Sequence, residues 1–126
     1  MEILGSRLLI RPTDFARSVA FYRDILGLAI YREFPGGTVF FAGQGTLEIS
    51  GGSDVTPTAA TELWLQVRDV STAATELALA GIRILRGPKV EPWGLHEMWI
   101  ADPDGLRIVL VEVPPDHPLR RDVRDA

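Results

Sequence analysis

The segment Trp99–Val113, WIADPDGLRIVLVEV, constrains this chain most. Two runs of strand-forming residues flank Asp102-Pro103-Asp104-Gly105. Pro103 suits the second position of a type I turn, and Gly105 suits the next position that needs a positive φ. The segment therefore reads as a β-hairpin. In its second strand Ile108, Leu110 and Glu112 point one way, and Arg107, Val109 and Val111 the other. A sheet with a helix on one face and a cleft on the other accounts for both sides.

Upstream, Ser6–Thr13 alternates as a strand, with Leu8 and Ile10 on one side and Arg7, Leu9 and Arg11 on the other. Asp14 is a good N-cap for a helix with Phe15, Val19, Tyr22 and Leu26 on one stripe, and Gly27 stands at the C′ position. Strands follow at Leu28–Phe34, Thr38–Ala42 and Thr46–Ser50, separated by Pro35-Gly36-Gly37 and Gly43-Gln44-Gly45. After the small, polar stretch Gly51–Ala60 the pattern restarts. Glu62–Val67 alternates, Asp69 caps a helix through Leu77 and Leu79, Gly81 closes it, and Ile82–Leu85 is a strand before the hairpin. The punctuation of the second half repeats that of the first: Arg7 and Asp14 match Glu62 and Asp69, and Gly27 matches Gly81. The expected organisation is a βαβββ module over 1–51, a linker over 52–60, a second βαβββ module over 61–114, and a loosely ordered tail over 115–126.

Strand parity assigns two faces. Leu8 and Ile10, Leu47 and Ile49, Leu63, Leu65 and Val67, and Ile108 and Leu110 form an aliphatic face expected under the helices. The opposite face carries Arg7, Leu9 and Arg11; Thr46, Glu48 and Ser50; Glu62, Trp64 and Gln66; Arg107, Val109 and Val111. That set is too polar for a core and too aromatic for a plain solvated surface. A curved sheet with this inner face is a cup. Phe40 and Phe41 are consecutive, so one faces the cup and the other the core, with Phe41 the candidate for the cup.

Composition removes several function classes. Cysteine is absent, which excludes disulfides, a thiolate nucleophile and Cys-ligated metal, and the cytosol is the default location. A net charge of −4 without a basic cluster argues against nucleic acid as a partner. No window reaches the roughly 18–20 apolar residues of a membrane span, and MEILGSRLL lacks a signal-peptide layout.

Strand–Asp14–helix with Phe21-Tyr22 and Leu26-Gly27-Leu28, a second copy at Asp69, and a closing Pro92-Trp93-Gly94…Asp102-Pro103-Asp104-Gly105 hairpin resemble the vicinal oxygen chelate superfamily. That superfamily groups glyoxalase I, extradiol dioxygenases, and fosfomycin- and bleomycin-resistance proteins. The resemblance runs to about Pro114. It implies an α+β fold in which two βαβββ modules form a U-shaped mixed-sheet cup with helices outside, commonly in a homodimer with a cavity in each U. Metal-using members place ligands at four positions, which map here to Arg7, Glu48, Glu62 and Val109. Guanidinium is no practical ligand and valine has no donor atom, leaving two carboxylates. The resemblance therefore favours metal-free small-molecule binding of the bleomycin-resistance kind.

On this reading Arg7 sits between Glu48 and Glu62 and replaces the metal by pairing with both. An internal salt bridge with no further role is the competing reading. Trp64, Trp93 and Trp99, with Phe41 and Val109, are expected to hold an aromatic or amphipathic ligand oriented by Arg7, Glu48, Glu62 and Arg107. Alternatively the aromatics fill a dimer interface or plug a small cavity. The enzyme alternative is a glyoxalase- or dioxygenase-like protein using Glu48, Glu62 and His96 with a divalent metal ion, or a carboxylate as base. His96 has no orienting partner evident in the sequence and reads better as a hairpin-edge histidine. Expected cofactors are none, and expected partners are a small molecule and a second copy of the chain.

Overall fold

A computed structural model describes residues 1–119. The last residues of the expected tail, 120–126, lie outside the described part. The order of elements is β1 (Leu8–Ile10), α1 (Phe15–Ala20), β2 (Ile30–Phe34), β3 (Gly37–Ala42), β4 (Gly45–Ser50), β5 (Glu62–Gln66), α2 (Val70–Leu79), β6 (Ile84–Val90), β7 (His96–Ala101) and β8 (Arg107–Glu112). Two four-stranded mixed sheets result, ordered β1-β4-β3-β2 and β5-β8-β7-β6. The βαβββ pattern is thus present twice, and the fold is α+β. The chain forms two compact units: Met1–Ala59 with Asp102–Leu106, and Ala60–Ala101 with the described residues from Arg107 onward.

In the first unit, Asp14 caps α1 by accepting the Arg17 N–H at 3.1 Å, as its position before the helix predicts. The expected single helix to Leu26 is interrupted. From Phe21 to Ile25 the backbone is π-helical, and the Leu26 N–H reaches the Phe21 carbonyl at 3.0 Å. Both Phe21 and its neighbour Tyr22 are buried there, with rings edge-to-face at 5.1 Å. Gly27 takes φ 68°, and Leu28 N–H bonds back to the Tyr22 carbonyl, closing the segment. Ile10, Phe40, Leu47 and Ile49 complete the core, as parity predicts for the aliphatic face. Leu8, on the same face, stays exposed because it begins an edge strand of three residues.

The Asp102–Leu106 turn is held by its own carboxylates. Asp102 Oδ1 accepts the N–H groups of Asp104 and Leu106 at 2.9 Å each, and Oδ2 accepts the buried Tyr22 hydroxyl at 2.9 Å. Asp104 accepts the Thr13 N–H at 2.9 Å, the Thr13 hydroxyl, and Arg17 at 3.2 Å. Burial draws the Asp104 carboxyl upward, but the Thr13 bonds and the Arg17 charge outweigh it and hold the group below its ordinary value. Gly105 has φ 92°, which completes the turn that Pro103 and Gly105 predict.

In the second unit Asp69 caps α2 through the Thr72 N–H at 3.0 Å, and Gly81 at φ 77° follows its end. Met98, Ile100, Ile108 and Leu110 are buried on one face. Two expectations need correction. The strand read over Ile82–Leu85 runs from Ile84 to Val90, through Gly87 and Pro88. An edge strand tolerates such residues, and its register against β7 shifts at Arg86. The opposite face of β8 is also not too polar for a core. Val109 and Val111 are 5% and 0% exposed and pack with Leu95, Val113 and the partly buried Trp99. The start of the tail is tied down as well, since His117 Nε2 lies 3.0 Å from the Trp93 carbonyl.

Candidate functional site

The polar face of the first sheet is assembled by register. Parallel pairing sets Leu9 beside Glu48, and antiparallel pairing sets Val39 beside Glu48 and Phe41 beside Thr46. Thr46, Glu48 and Ser50 therefore stand in line along β4, with Arg7 and Arg11 flanking β1. Arg7 donates from Nε to Thr46 Oγ1 at 3.2 Å and from Nη1 to Glu48 Oε1 at 2.9 Å. Ser50 donates its hydroxyl to Glu48 Oε2 at 2.7 Å, and Arg11 in turn donates to the Ser50 hydroxyl and lies 3.8 Å from Glu48 Oε2. The Ser50 hydrogen bond, followed by the Arg7 bond and the charges of Arg7 and Arg11, outweighs partial desolvation and holds the Glu48 carboxyl below its ordinary value. Beside this chain of bonds lies an open depression of ≈ 590 Å³ lined by Gly5, Ser6, Arg7, Leu9 and Glu48. Phe41, 46% exposed, stands on the same face with Tyr31 edge-on at 4.8 Å.

The second sheet carries its own charged cluster. Glu62 pairs with Arg107 at 3.1 Å across the β5–β8 ladder. The expected double pairing of Arg7 is thereby corrected, because each carboxylate takes an arginine of its own unit. Register pairs Arg107 with Glu62 and Val109 with both Trp64 and Trp99, so these side chains share a face. Trp99 is not a free platform: the Arg86 guanidinium lies 4.0 Å from its ring centroid and that of Arg107 4.5 Å. Arg86 also donates to the buried Glu91 and to the Glu97 carbonyl at 3.2 Å. Trp93 donates Nε1–H to the buried Glu97 at 2.7 Å while its ring is 59% exposed. Trp64 is 48% exposed. Val109 lies in the buried cluster and presents little surface to a ligand.

His96 opens β7, and its Nδ1 lies 3.7 Å from Glu112 Oε2, too long for a hydrogen bond. Glu112 itself accepts the Val70 N–H at 3.1 Å, at the start of α2. A nearby carboxylate is present after all, but it is held by the helix and does not orient the imidazole.

The donor set for a metal can be tested on these contacts. Of the four positions that the resemblance maps to metal ligands, Arg7 is a cation and Val109 is buried hydrocarbon. Both Glu48 oxygens are engaged by Arg7 and Ser50, and Glu62 is engaged by Arg107. Among the described residues no three or more His, Asp or Glu are grouped to hold a metal ion. These residues do not fit a divalent cation.

Three contributors were not picked out from the sequence. Ser50 shared the parity of Glu48, and that alternation was the available signal. Arg11 had the same signal on β1. Arg86 had none, because the glycine and proline after it hid the strand.

Two repeats of βαβββ, each a four-stranded mixed sheet with one α-helix, define the class of fold. The model of the Glyoxalase/Bleomycin resistance protein/Dioxygenase superfamily matches residues 6–110, and the chain belongs to that superfamily. A comparison with curated proteins gives no match. Among solved structures, a protein of unknown function from Agrobacterium tumefaciens is 25% identical, with 90% of this chain and 95% of that chain covered and a TM-score of 0.74. A glyoxalase/bleomycin resistance protein/dioxygenase from Nocardioides is 17% identical over 100% of this chain and 91% of that one, at TM-score 0.76. A lactoylglutathione lyase from Agrobacterium tumefaciens is 20% identical over 88% and 92%, at TM-score 0.64. The last two share the fold. Among the described residues no helix is long and apolar enough to cross a membrane.

Proposed function

We propose that this chain is a cytoplasmic, metal-independent binding protein for a small aromatic or amphipathic molecule, of the antibiotic-sequestering kind and acting as a homodimer. One observation carries the reading: the two carboxylates at the ligand-bearing positions, Glu48 and Glu62, are each paired with an arginine. An arginine at such a position supplies the positive charge that the carboxylates would otherwise draw from a cation. Each unit presents an exposed ring on the face of its own pair, Phe41 in the first and Trp64 in the second, and such a ring suits an apolar, planar ligand, with stacking adding about 0.5–1.5 kcal/mol beyond area. The antibiotic class rests on the family description alone, and the absence of cysteine suits a reducing compartment.

The test has two stages. Protein purified without chelator is analysed for metal and titrated with Mn, Ni, Zn and Fe(II), with thermal stability as readout. A panel of aromatic antibiotics is then titrated by calorimetry. The expected result is no stoichiometric metal, and saturable binding of at least one member of the panel. Stoichiometric, stabilising metal binding overturns the reading, as does a panel that gives no saturable binding.

A further inference from the structure

We propose that the ligand is an anion: an amphipathic molecule whose single carboxylate or sulfonate is held by Arg7 and Arg11 on the polar face of the first sheet. The inference rests on the binding reading above and adds the charge and the place of the ligand.

The face has more positive than negative groups. Arg7, Arg11 and Arg32 share it with one carboxylate, Glu48; register places Arg32 beside Val39, which is itself beside Glu48. The acidic residue of β2, Glu33, pairs with Thr38, which is opposite Ile49, and register therefore sets it on the opposite face of the sheet. Glu48 stays ionised through Ser50 and the two arginines and compensates one positive charge of the three. A cationic ligand would meet a carboxylate whose two oxygens are already engaged, flanked by the guanidiniums of Arg7 and Arg11. An anionic ligand would meet unused donors.

Those donors can be named. A guanidinium carries five N–H groups. Arg7 uses Nε on Thr46 and Nη1 on Glu48, and Arg11 uses Nη1 on Ser50. Among the described residues no acceptor meets Arg7 Nη2, Arg11 Nη2 or Arg11 Nε. Both side chains remain accessible, at 36% and 49% exposure. Their carboxylate and hydroxyl partners fix the forks in place, so less conformational freedom is lost when an anion docks. The open depression beside Arg7 leads onto Leu9, which is 49% exposed, and Phe41 lies across β4 on the same face. A charged head at the arginines and an apolar body over Leu9 and Phe41 match this layout.

The experiment uses the full chain and three naphthyl probes of similar size: 2-naphthylacetate, 2-(2-naphthyl)ethanol and 2-(2-naphthyl)ethylammonium. Binding is measured by calorimetry at low salt, with amide NMR shifts to locate it. The acetate is expected to bind about tenfold more tightly than the alcohol, and the ammonium more weakly still. Its shifts should fall on β1 and β4, and Arg11→Ala should erase the preference for the acetate. Arg11→Lys, which keeps the charge but not the fork, should retain part of it and guards against a folding defect in the alanine variant. Equal binding of acid and alcohol, or an acid preference that survives in Arg11→Ala, overturns the anion assignment while leaving small-molecule binding intact. No binding of any of the three overturns both.

Discussion

Replacing Tyr22 by Phe removes one oxygen from the centre of the first unit and tests how its buried long-range polar contact acts. Tyr22 is fully buried, packs against Phe21 and Phe40, and donates to Asp102 Oδ2 at 2.9 Å. Phenylalanine keeps the ring and opens no cavity, so the loss is confined to the hydrogen bond. Asp102 is 5% exposed, and its other oxygen remains satisfied by two backbone N–H groups. Losing a hydrogen bond to a buried carboxylate costs about 1.5–3 kcal/mol. For a domain of this size that is a fall in Tm of roughly 5–12 °C. A second signature lies at alkaline pH. Burial, then the Asp102 charge and hydrogen bond, push the Tyr22 pKa well above its ordinary value of 10.0. Above about pH 10 the unfolded chain releases this proton while the folded chain keeps it. The folded state then binds more protons, and unfolding free energy falls by about 1.4 kcal/mol per pH unit from this group. The contribution is complete below pH 10 and declines above it. Urea titrations of wild type and Tyr22→Phe from pH 7 to pH 11 read both effects: the variant is less stable at pH 7, and the gap narrows as pH rises. A gap below about 0.5 kcal/mol at pH 7 would refute the buried-acceptor argument. A gap that stays constant to pH 11 would show that Tyr22 ionises in the folded protein.

Ser50→Ala should raise the Glu48 pKa, because the Ser50 hydrogen bond is the largest single influence holding that carboxyl down. Carboxyl carbon NMR titration checks this, and an unmoved Glu48 in Ser50→Ala would sink it. In the wild type the low Glu48 pKa favours the folded state above the ordinary carboxylate range and ceases to do so as pH falls through it. Gly37→Ala should destabilise the first unit by about 1–3 kcal/mol, because the new Cβ would stand 2.1 Å from Phe34 Cζ and displace the ring on which Arg32 stacks. An unchanged urea midpoint would show that the ring moves aside freely.

What the sequence made legible was local. Asp14 and Asp69 cap their helices, Gly27 and Gly81 end them, and Gly105 closes the hairpin, because each role depends on neighbours within a few residues. Parity also required that one of the consecutive Phe40 and Phe41 stand with Thr46 and Glu48, and the β3–β4 register makes it Phe41. Elsewhere the determinants lay outside the local window. Gly87 and Pro88 signal a strand end, yet an edge position leaves one side of β6 without ladder bonds to lose, so the strand continues and brings Arg86 to Trp99. The same displacement explains why Trp99 read as a ligand platform: its covering guanidinium comes from a strand that the local pattern did not show.

The faces were legible as polar or apolar, but not as open or covered. Parity sorts Val109 with Glu62 and Trp64, whereas its burial depends on Leu95 and Val113, which lie outside the paired strands. Charge partners follow the same logic. Arg7 and Arg107 were equally available to the two carboxylates by sequence, and the ladder decides between them: parallel register sets Glu62 directly opposite Arg107, while Arg7 reaches along β4 to Glu48 and Thr46. The two sheets repeat one architecture and diverge in what their polar faces do. The second spends its arginines on an indole and two glutamates, Arg86 on Trp99 and Glu91 and Arg107 on Trp99 and Glu62. Both sheets keep guanidinium N–H groups without an acceptor among the described residues, but Trp99 covers the planes of Arg86 and Arg107, whereas Arg7 opens onto a depression beside exposed Leu9, and that difference is why the anion is placed on the first sheet and not the second.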